Sequence, residues 1–557
     1  MVKKFRCYRD PRPSNRSTLI PDMLFNSYVF LFLFLPVTLV GFHLIGKQGY
    51  HKGAVSWLVS ASLFFYGWWN PAYLGLILGS ILFNYAVGFS LMGRPYKLTL
   101  CLGLAGNLGV LGYFKYANFF IDNINALTSN NIILEQIILP LGISFFTFQQ
   151  ITYLIDAYHG QTKEYNFLHY CLFVVFFPQL IAGPIVHHKE MLPQFAKDAL
   201  YGLKSSNLAI GFTIFIIGLF KKVVLADGIA AHATSVFTAA EHGVYLTFFE
   251  AWGGALAYSF QLYFDFSGYS DMAIGLARMF GITLPFNFLS PYKANNIAVF
   301  WRCWHITLTR LIKDYLFNPI ALSLTRYALV RNYGSISLFI FSVLLPTIFS
   351  YFWAGLWHGA GWNFILFGLA HGTYIVIYSV WVKIKKKIPA ERAIRSTVVA
   401  NLIGRTITFL SVVLSFVLFR AESMDGASNM LTAMLGGHGL SLSPLLIGMF
   451  GNLEQWLLEC GVVFHGMFHN NAFGANPKLG ISWVVALLLA SMFLPNTQQL
   501  LHRYRPALET YEKELPRLRH RWIEWRPTIP WAFFTFIIFI ICILSLTQTS
   551  EFLYFQF

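Results

Sequence analysis

The sequence predicts an all-α membrane protein that crosses the bilayer about ten to thirteen times. Three observations support this fold class. Hydrophobic residues make up 56% of the 557 residues and charged residues only 11%, which leaves too few polar side chains to cover a soluble protein of this size. Apolar runs of membrane length recur along the chain. The basic residues behind the net charge of +16 are concentrated in short connectors between these runs.

The apolar runs define the predicted spans. The stronger candidates are residues 24–46, 53–68, 72–93, 97–116, 165–186, 207–226, 336–353, 360–382, 401–419, 480–494 and 529–548. The weaker candidates are residues 135–155, 245–280 and 442–467. The first run is longer than the apolar region of a signal peptide, so we expect it to remain as a span.

The basic connectors predict the orientation of the chain. We expect two of them to face the cytoplasm, where positive charge is favoured: Lys383, Lys385, Lys386, Lys387, Arg392 and Arg395 in one, and Arg503, Arg505, Arg517, Arg519, Arg521 and Arg526 in the other. Three full crossings between them would place the second connector on the opposite side. One intervening run must therefore not cross, and 442–467, interrupted by Asn452 and Glu454, is the best candidate for a re-entrant or interfacial segment. The basic residues form no continuous face, so no nucleic-acid partner is expected.

The chain divides into three predicted parts. Residues 1–22 form a basic extension, which is either a flexible tail or the product of an upstream start; 23–382 form the membrane core; and 383–557 form a C-terminal membrane region with cytoplasmic connectors. Residues 283–300 are turn-rich and polar, and such backbone at membrane depth requires protein or a water-filled cavity to satisfy it. The six cysteines are scattered and predict neither disulfides nor a metal site.

The most informative stretch, residues 350–368 (SYFWAGLWHGAGWNFILFG), places His358 in an uncharged, aromatic segment of membrane length. An ionisable side chain inside a span is a functional-site hypothesis by default. The alternative is a buried histidine that hydrogen-bonds to a carbonyl of a neighbouring span.

Small and aromatic residues flank His358. We expect three glycines to leave room for a substrate beside its ring: Gly355, Gly359 and Gly361. Three tryptophans would wall the slot: Trp353, Trp357 and Trp362. Alternatively, the glycines allow a neighbouring helix to pack closely and fill that room.

A second histidine follows another aromatic run. If residues 298–312 form one helix, Trp301, Trp304 and His305 share one face at positions i, i+3 and i+4. The alternative is that His305 lies at the membrane interface with its polar edge in water. Cys303 is the one thiol that could act as a nucleophile beside a histidine.

Two aspartates within an apolar run require partners, because a carboxylate inside the bilayer costs roughly 2.5–3.5 kcal/mol. We expect Asp265 or Asp271 to pair with Arg278 or Arg302, in a structural role.

For the other ionisable groups we expect no catalytic role. Asp314 follows Arg310 by one helical turn, which predicts an ordinary surface ion pair. His187 and His188 follow a proline that is expected to end a span, so we place them at the interface.

Several motifs together resemble those of the membrane-bound O-acyltransferase family. Its paired histidine motifs are similar to residues 300–308 (FWRCWHITL), 314–316 (DYL), 355–360 (GLWHGA) with Trp362, and 371–372 (HG). Its bacterial branch, which acetylates exported polysaccharides such as alginate, is similar at residues 25–36 (FNSYVFLFLFLP), 177–185 (FPQLIAGPI), 265–271 (DFSGYSD) and 285–288 (PFNF).

The resemblance implies a ring of transmembrane helices around a central tunnel, with re-entrant and interfacial helices. It maps the family's catalytic histidine onto His358 and its second motif histidine onto His305. We expect substrate to contact Trp301, Arg302, Trp304, Trp353, Trp357 and Asn363. The chain departs from the family's motifs at two places. Cys303 stands where a second basic residue is usual, and the glycine-rich turn after Pro319 is missing. These differences concern the identity of the acceptor more than the reaction class.

The resemblance further implies transfer of an acetyl group from cytoplasmic acetyl-CoA toward hydroxyls of an exported polysaccharide, in the bacterial inner membrane, among membrane lipid. The expected route runs through an extracytoplasmic acetyltransferase partner, without a covalent enzyme intermediate and without a tightly bound cofactor. Peptidoglycan, cellulose and teichoic acid are alternative acceptors. A rival interpretation is a proton-coupled transporter lined by His305, His358 and His371, although no internal symmetry supports it.

Overall fold

The computed structural model describes residues 23–128, 131–162, 166–197, 200–387, 397–447, 449, 451–468, 470–474, 476–508, 523–546 and 553. The predicted N-terminal extension and several connector arginines lie outside the described residues: 1–22, Arg392, Arg395, Arg517, Arg519 and Arg521.

The described chain is built almost entirely of helices. The N-terminal third contains α1 (Leu35–Lys47), α2 (His51–Trp69), α3 (Ala72–Gly93), α4 (Lys97–Leu111), α5 (Ala117–Thr128), α6 (Ile143–Tyr158), α7 (Phe167–Val175), α8 (Phe177–Leu180) and α9 (His188–Phe195). The middle contains α10 (Ser205–Phe220), α11 (Asp227–Glu241), α12 (Phe248–Met279), α13 (Ile297–Cys303), α14 (Ile306–Ile312), α15 (Asn318–Val330), α16 (Ser335–Phe339), α17 (Leu345–His358) and α18 (Trp362–Lys385). The C-terminal part contains α19 (Thr397–Arg420), α20 (Met424–Met434), α21 (Asn452–Glu459), α22 (Pro477–Phe493), α23 (Thr497–Leu500) and α24 (Ile529–Ser545).

Tighter and wider turns complete these elements. π-helical turns lie at Phe30–Phe34, Gly112–Tyr116, Lys221–Ala226, Lys313–Phe317 and Ile340–Leu344. Short 3₁₀ turns lie at Pro291–Lys293, Pro444–Leu446 and His502–Tyr504. The strands β1 (Leu440–Ser441) and β2 (Val462–Val463) form one short parallel pair.

The predicted all-α polytopic class is confirmed. Within the described residues, seven helices are long and apolar enough to cross a membrane: Phe30–Lys47, Ala72–Gly93, Lys97–Thr128, Ser205–Glu241, Ser335–His358, Trp362–Lys385 and Val398–Arg420. Two shorter apolar helices are α22 and α24. The total of about ten to thirteen crossings stays a prediction.

Residues 442–467 do not form a crossing helix in the part that the structure describes. Their longest helix, α21, has eight residues, which span about 12 Å and fall well short of the hydrocarbon core. The prediction that this run does not cross is therefore confirmed. Among the described helices between the two basic connectors, α19 is a candidate span and α22 a shorter apolar helix; if these two cross, both connectors face the same side.

Residues 165–186 were predicted as one span, and this prediction is wrong. Helix α7 ends before Phe176, and α8 adds only one turn before a non-helical segment. Pro178 lies at the start of α8 and cannot continue a preceding helix. The freed Phe177 N–H donates to Ser62 Oγ (3.2 Å), so protein satisfies the broken backbone at this depth.

Helix α12 lies at the centre of the fold. Its 32 residues are almost all buried, and it contacts α10, α11, α19, α20 and α22. Glycines bring α10 and α12 into backbone contact, because a Cβ at Gly218 would lie 2.6 Å from the carbonyl oxygen of Gly268. The C-terminal helices thus pack on the same core as the N-terminal ones, and the division at residue 382 stays a prediction.

The buried aspartates of α12 are paired, but the predicted partners are wrong. Asp265 lies 2.7 Å from Lys222 Nζ, and Asp271 lies 2.6 Å from Lys221 Nζ. Lys222 Nζ also contacts Asp227 at 2.7 Å. Both lysines lie on the π-helical turn between α10 and α11, which packs directly on α12. Arg278 and Arg302 were the expected partners because they are nearer in the sequence. The packing of helices brings the two lysines closer in space, although they are further away along the chain.

Replacing Lys222 by methionine tests this buried network. The variant would leave Asp265 and Asp227 without their shared cation, a loss worth roughly 3–5 kcal/mol for a buried pair. We expect a much lower yield of monodisperse protein in detergent and a lower thermal midpoint. Lys52→Met, at an exposed helical position, should behave as wild type. Equal stability of the two variants would contradict the structural role.

Candidate active site

His358 is the last residue of α17 and is 6% exposed. Three rings from three helices surround it, with centroid distances of 4.8 Å to Trp357, 5.9 Å to Phe367 and 5.1 Å to Phe419. Within the described residues its Nδ1 has no hydrogen-bond partner. The expected carbonyl partner of the alternative interpretation is therefore not found at Nδ1, and a base with an uncommitted nitrogen lies in an aromatic pocket.

The glycines beside His358 serve helix packing rather than substrate space. A Cβ at Gly355 would lie 2.3 Å from the carbonyl oxygen of Phe364, and one at Gly359 would lie 2.2 Å from the Phe364 ring. A Cβ at Gly368 would lie 2.1 Å from the carbonyl oxygen of Tyr351. Helices α17 and α18 thus touch through their backbones, and the expectation of open room at these glycines is wrong.

Two of the three flanking tryptophans point away from His358. Trp353 is 46% exposed and contacts the rings of Phe349 and Phe352. It precedes His358 by five residues, about 140° around a helix, which explains why it does not reach the imidazole. Trp362 is exposed, and its Nε1 donates to Asn123 Oδ1 (3.0 Å). Only Trp357 lies beside the histidine.

The predicted single helix over residues 298–312 is wrong, because the chain breaks at His305. Helix α13 ends at Cys303, Trp304 is extended, and His305 takes a left-handed conformation with φ 42° and ψ 54° before α14 begins. A non-glycine residue in this region is uncommon and costs about 1–3 kcal/mol, which is a recurring feature of functional sites. His305 is 1% exposed, so it does not lie at a wet interface.

Asn287 accepts hydrogen bonds from the residues at this helix break. Its backbone carbonyl accepts from Ile306 N (3.0 Å), and its Oδ1 accepts from Thr307 Oγ1 (2.7 Å) and Thr307 N (3.3 Å). His305 Nδ1 donates to the same Oδ1 at 3.3 Å. This bond places the proton of a neutral ring on Nδ1 and leaves Nε2 as a hydrogen-bond acceptor. The turn-rich segment 283–290 thus supplies the groups that the broken helix needs.

Trp357 joins the two histidines. Its ring lies 4.8 Å from the His358 centroid and 6.2 Å from the His305 centroid. Phe148 of α6 stacks on it at 5.5 Å with an interplanar angle of 16°. The structure therefore brings His305 together with two further predicted site residues, Trp357 and His358, which lie more than fifty positions later in the sequence.

The remaining residues that were predicted to contact substrate are buried, except for Arg302. Trp301 and Trp304 are buried in an aromatic cluster, where Trp301 contacts His371 at 4.9 Å. Arg302 is exposed and faces away from that cluster. Asn363 is buried and its Nδ2 donates to the carbonyl oxygen of Ala421 (2.8 Å), which ties α18 to the end of α19. Whether these residues contact substrate stays a prediction.

A polar cluster lies around the start of α9, and it corrects two further expectations. Arg310 pairs with Glu190 through two bonds of 2.6 and 2.9 Å, so the predicted Arg310–Asp314 pair is wrong. Tyr315 donates to Asp156 Oδ1 (3.0 Å) and lies 3.3 Å from His187 Nδ1. The fold brings Glu190 of α9 within reach of Arg310, and this carboxylate meets the guanidinium through two bonds, unlike the one in the next turn.

His188 is buried within this cluster rather than placed at the membrane interface. Its Nδ1 lies 3.6 Å from Asp156 Oδ2. Burial lowers the pKa of His188 to about 4, although the nearby carboxylate of Asp156 acts in the opposite direction. His188 is therefore neutral in the folded protein at neutral pH.

Sequence reasoning missed several residues of the site. Asn287 lay in a motif that was noted only for its resemblance, and its contact with His305 could not be seen from spacing. Phe367 and Phe419 reach His358 from α18 and α19. Lys115 donates to the backbone carbonyl of Trp357, and its one sequence signal was a charge inside a predicted span.

No described group of three or more histidine, cysteine, aspartate or glutamate side chains is arranged to hold a metal ion. The described cysteines, at 101, 171, 303, 460 and 542, form no disulfide. Cys303 is half-buried, two residues before His305.

The depressed pKa of His188 predicts a pH-dependent stability. An unfolded histidine takes up a proton below pH 6.5 while the folded one does not, so stability is lost as the pH falls from 6.5 toward 4. The loss is roughly 1.4 kcal/mol for each pH unit in that window. We expect the thermal midpoint in detergent to fall less steeply for His188→Asn than for wild type. His242→Asn, at an exposed position, should keep the wild-type slope, and identical slopes for all three proteins would refute the prediction.

Known proteins are similar to this chain over the region that contains His305 and His358. A sequence model of the membrane-bound O-acyltransferase family matches residues 110–419, which include both histidines. A peptidoglycan O-acetyltransferase of Helicobacter pylori is 43% identical over 456 residues, covering 76% of this chain and 82% of the relative. A probable alginate O-acetylase of Azotobacter vinelandii is 37% identical over 471 residues, covering 82% and 87%. A teichoic acid D-alanyltransferase of Bacillus subtilis is 29% identical over 286 residues, covering 51% and 69%.

Proposed function

Because the chain belongs to the membrane-bound O-acyltransferase family and is a multi-pass protein of the bacterial inner membrane, we propose that it carries an acetyl group from cytoplasmic acetyl-CoA toward hydroxyls of an exported polysaccharide. The observation that carries this proposal is the meeting of His305 and His358 at the ring of Trp357. Two basic side chains at one buried point suit proton transfer between a donor and an acceptor.

In the proposed reaction, His358 acts as the general base. It takes the proton of the acceptor hydroxyl as that oxygen attacks the thioester carbonyl. The tetrahedral intermediate collapses with cleavage of the carbon–sulfur bond, and the departing thiolate takes the proton from the imidazolium. A positioned base of this kind contributes typically about 10²–10⁴ to the rate.

His305 fits the orientation of substrate better than stabilisation of an oxyanion. Its Nδ1 proton is directed at Asn287, so the neutral ring presents an accepting Nε2 to a reacting group. A second hydroxyl of the acceptor, other than the attacking one, can donate to that nitrogen. A direct transfer uses no covalent intermediate on Cys303.

The orientation of the chain supports opposite approaches to the two histidines. Lys383, at the cytoplasmic end of α18, lies 4.0 Å from the ring centroid of Phe339 at the start of the preceding span. That span ends at His358, which therefore lies toward the extracytoplasmic end of the α17–α18 hairpin. His305 follows a segment in which Lys293 Nζ donates to the carbonyl oxygen of Leu494, near the second basic connector. We assign donor entry to the cytoplasmic side and acceptor approach to the other.

The acceptor is proposed at the level of class. The relatives are named for alginate, peptidoglycan and teichoic acid, and the higher identities belong to the two O-acetylating groups. We therefore favour acetyl transfer to a polysaccharide or glycan outside the membrane over D-alanylation. An extracytoplasmic acetyltransferase partner is the proposed carrier, since a polymer is too large to enter a buried site.

Replacing His358 by alanine tests the general-base role. In liposomes containing purified protein and radiolabelled acetyl-CoA, we expect acetyl transfer to acceptor to fall by at least about 100-fold, with insertion and thermal midpoint unchanged. The matched control is His242→Ala, at an exposed helical end. Wild-type transfer by His358→Ala would rule out the proposed role. Solute uptake without ester formation would favour the transporter instead.

Replacing Asn287 by alanine tests the positioning of His305. The variant removes the acceptor that holds His305 Nδ1 and Thr307 Oγ1. We expect transfer to fall by about 10-fold or more, since small displacements of reacting groups are costly. The measurement is the initial rate of ester formation, with Asn123→Ala, on the exposed side near Trp362, as control. An unchanged rate would show that this contact does not position the reaction.

A further inference from the structure

A lysine outside the histidine motifs contacts the end of the helix that carries His358. Lys115 Nζ donates to the backbone carbonyl of Trp357 and lies 3.4 Å from Ser144 Oγ. Its neighbour Tyr116 donates through its hydroxyl to the backbone carbonyl of Leu356 (2.9 Å). Two consecutive residues of one span thus bind two consecutive carbonyls of another.

These carbonyls need donors from outside their own helix. The last carbonyls of any helix have no intrahelical partner. Many helices solve this with a left-handed glycine, but Gly359 after His358 is extended, with φ −170° and ψ 155°. Lys115 and Tyr116 take the place of such a cap.

The local backbone makes this double contact possible. In a regular helix, consecutive side chains diverge by about 100° and cannot face the same neighbour. Lys115 and Tyr116 end a π-helical turn, Gly112–Tyr116, that inserts an extra residue between α4 and α5. Such π-helical turns occur frequently at functional sites.

The presence of an ionisable lysine at position 115, inside a span, requires an explanation. A lysine inside a span costs roughly 2.5–3.5 kcal/mol on insertion scales, and such residues usually mark functional sites. A neutral donor could satisfy one carbonyl at lower cost. Lys115 Nζ also lies 5.8 Å from the centroid of the Trp357 ring, the ring that contacts both histidines.

We propose that Lys115 is a positioning residue that, with Tyr116, fixes the last turn of α17 so that His358 and Trp357 are held in their reactive arrangement. This inference rests on the proposed acetyl transfer. Lys115 acts through the backbone of Trp357, because its side-chain donor satisfies a carbonyl of the turn on which the general base lies.

The test compares Lys115→Met, Lys115→Gln, Lys115→Arg and Tyr116→Phe in the liposome transfer assay. We expect Lys115→Met to lower kcat by about 10- to 100-fold while KM for acetyl-CoA stays within about threefold, because the base is displaced and donor binding is not. Lys115→Arg keeps the charge and the donors and should recover most of kcat. Tyr116→Phe should lower kcat less than Lys115→Met does. The matched control is Lys97→Met, the same change at the exposed start of the same long helix.

The outcomes separate this inference from the proposed function. Wild-type kcat in Lys115→Met, with His358→Ala inactive, overturns the role of Lys115 alone. Activity in His358→Ala overturns the proposed function itself. If Lys115→Met does not fold, Lys115→Gln decides the question: its shorter amide donor should hold the turn less well and lower kcat by about tenfold at an unchanged thermal midpoint. Equal kcat in Lys115→Gln and wild type would overturn the inference.

Discussion

In the interior of a bilayer, no water is available to bind the backbone groups that a broken helix releases. The two breaks that matter here lie at His305 and at His358, and each is satisfied by side chains from elsewhere in the chain. Asn287 accepts from the residues after the first break, while Lys115 and Tyr116 donate to the carbonyls before the second. His305 and His358 are therefore held where regular structure stops, and their positions depend on these few polar contacts.

Wide helical turns supply much of the polar chemistry inside the membrane. The π-helical turn Gly112–Tyr116 carries the cap of α17, and the turn Lys221–Ala226 carries the cation that joins Asp265 and Asp227. A third turn, Lys313–Phe317, carries a tyrosine of the cluster around α9. An extra residue in a helix displaces side chains from the usual spacing, which allows a charged group to meet a partner that a regular helix could not present.

The sequence predicts the fold class from apolar runs of membrane length, and it singles out His305 and His358 as candidates from short local motifs. It does not predict the partners of buried charges. Asp265 pairs with Lys222, which lies on a different helix, and spacing along the chain carries no information about that contact. The break at His305 was missed for the same reason. Its apolar spacing suits a helix, and the group that interrupts it, Asn287, belongs to a separate segment.

The proposed transfer requires an acetyl group to pass between two sides of a membrane whose hydrocarbon core is about 30 Å thick. The span that ends at His358 has 24 residues and is about 36 Å long. His305 follows a helix of only seven residues, α13. Since both imidazoles contact Trp357, the barrier between them is about one aromatic side chain thick. Both imidazoles are nearly buried, so a thioester carbonyl can reach His358 only if side chains around the site move.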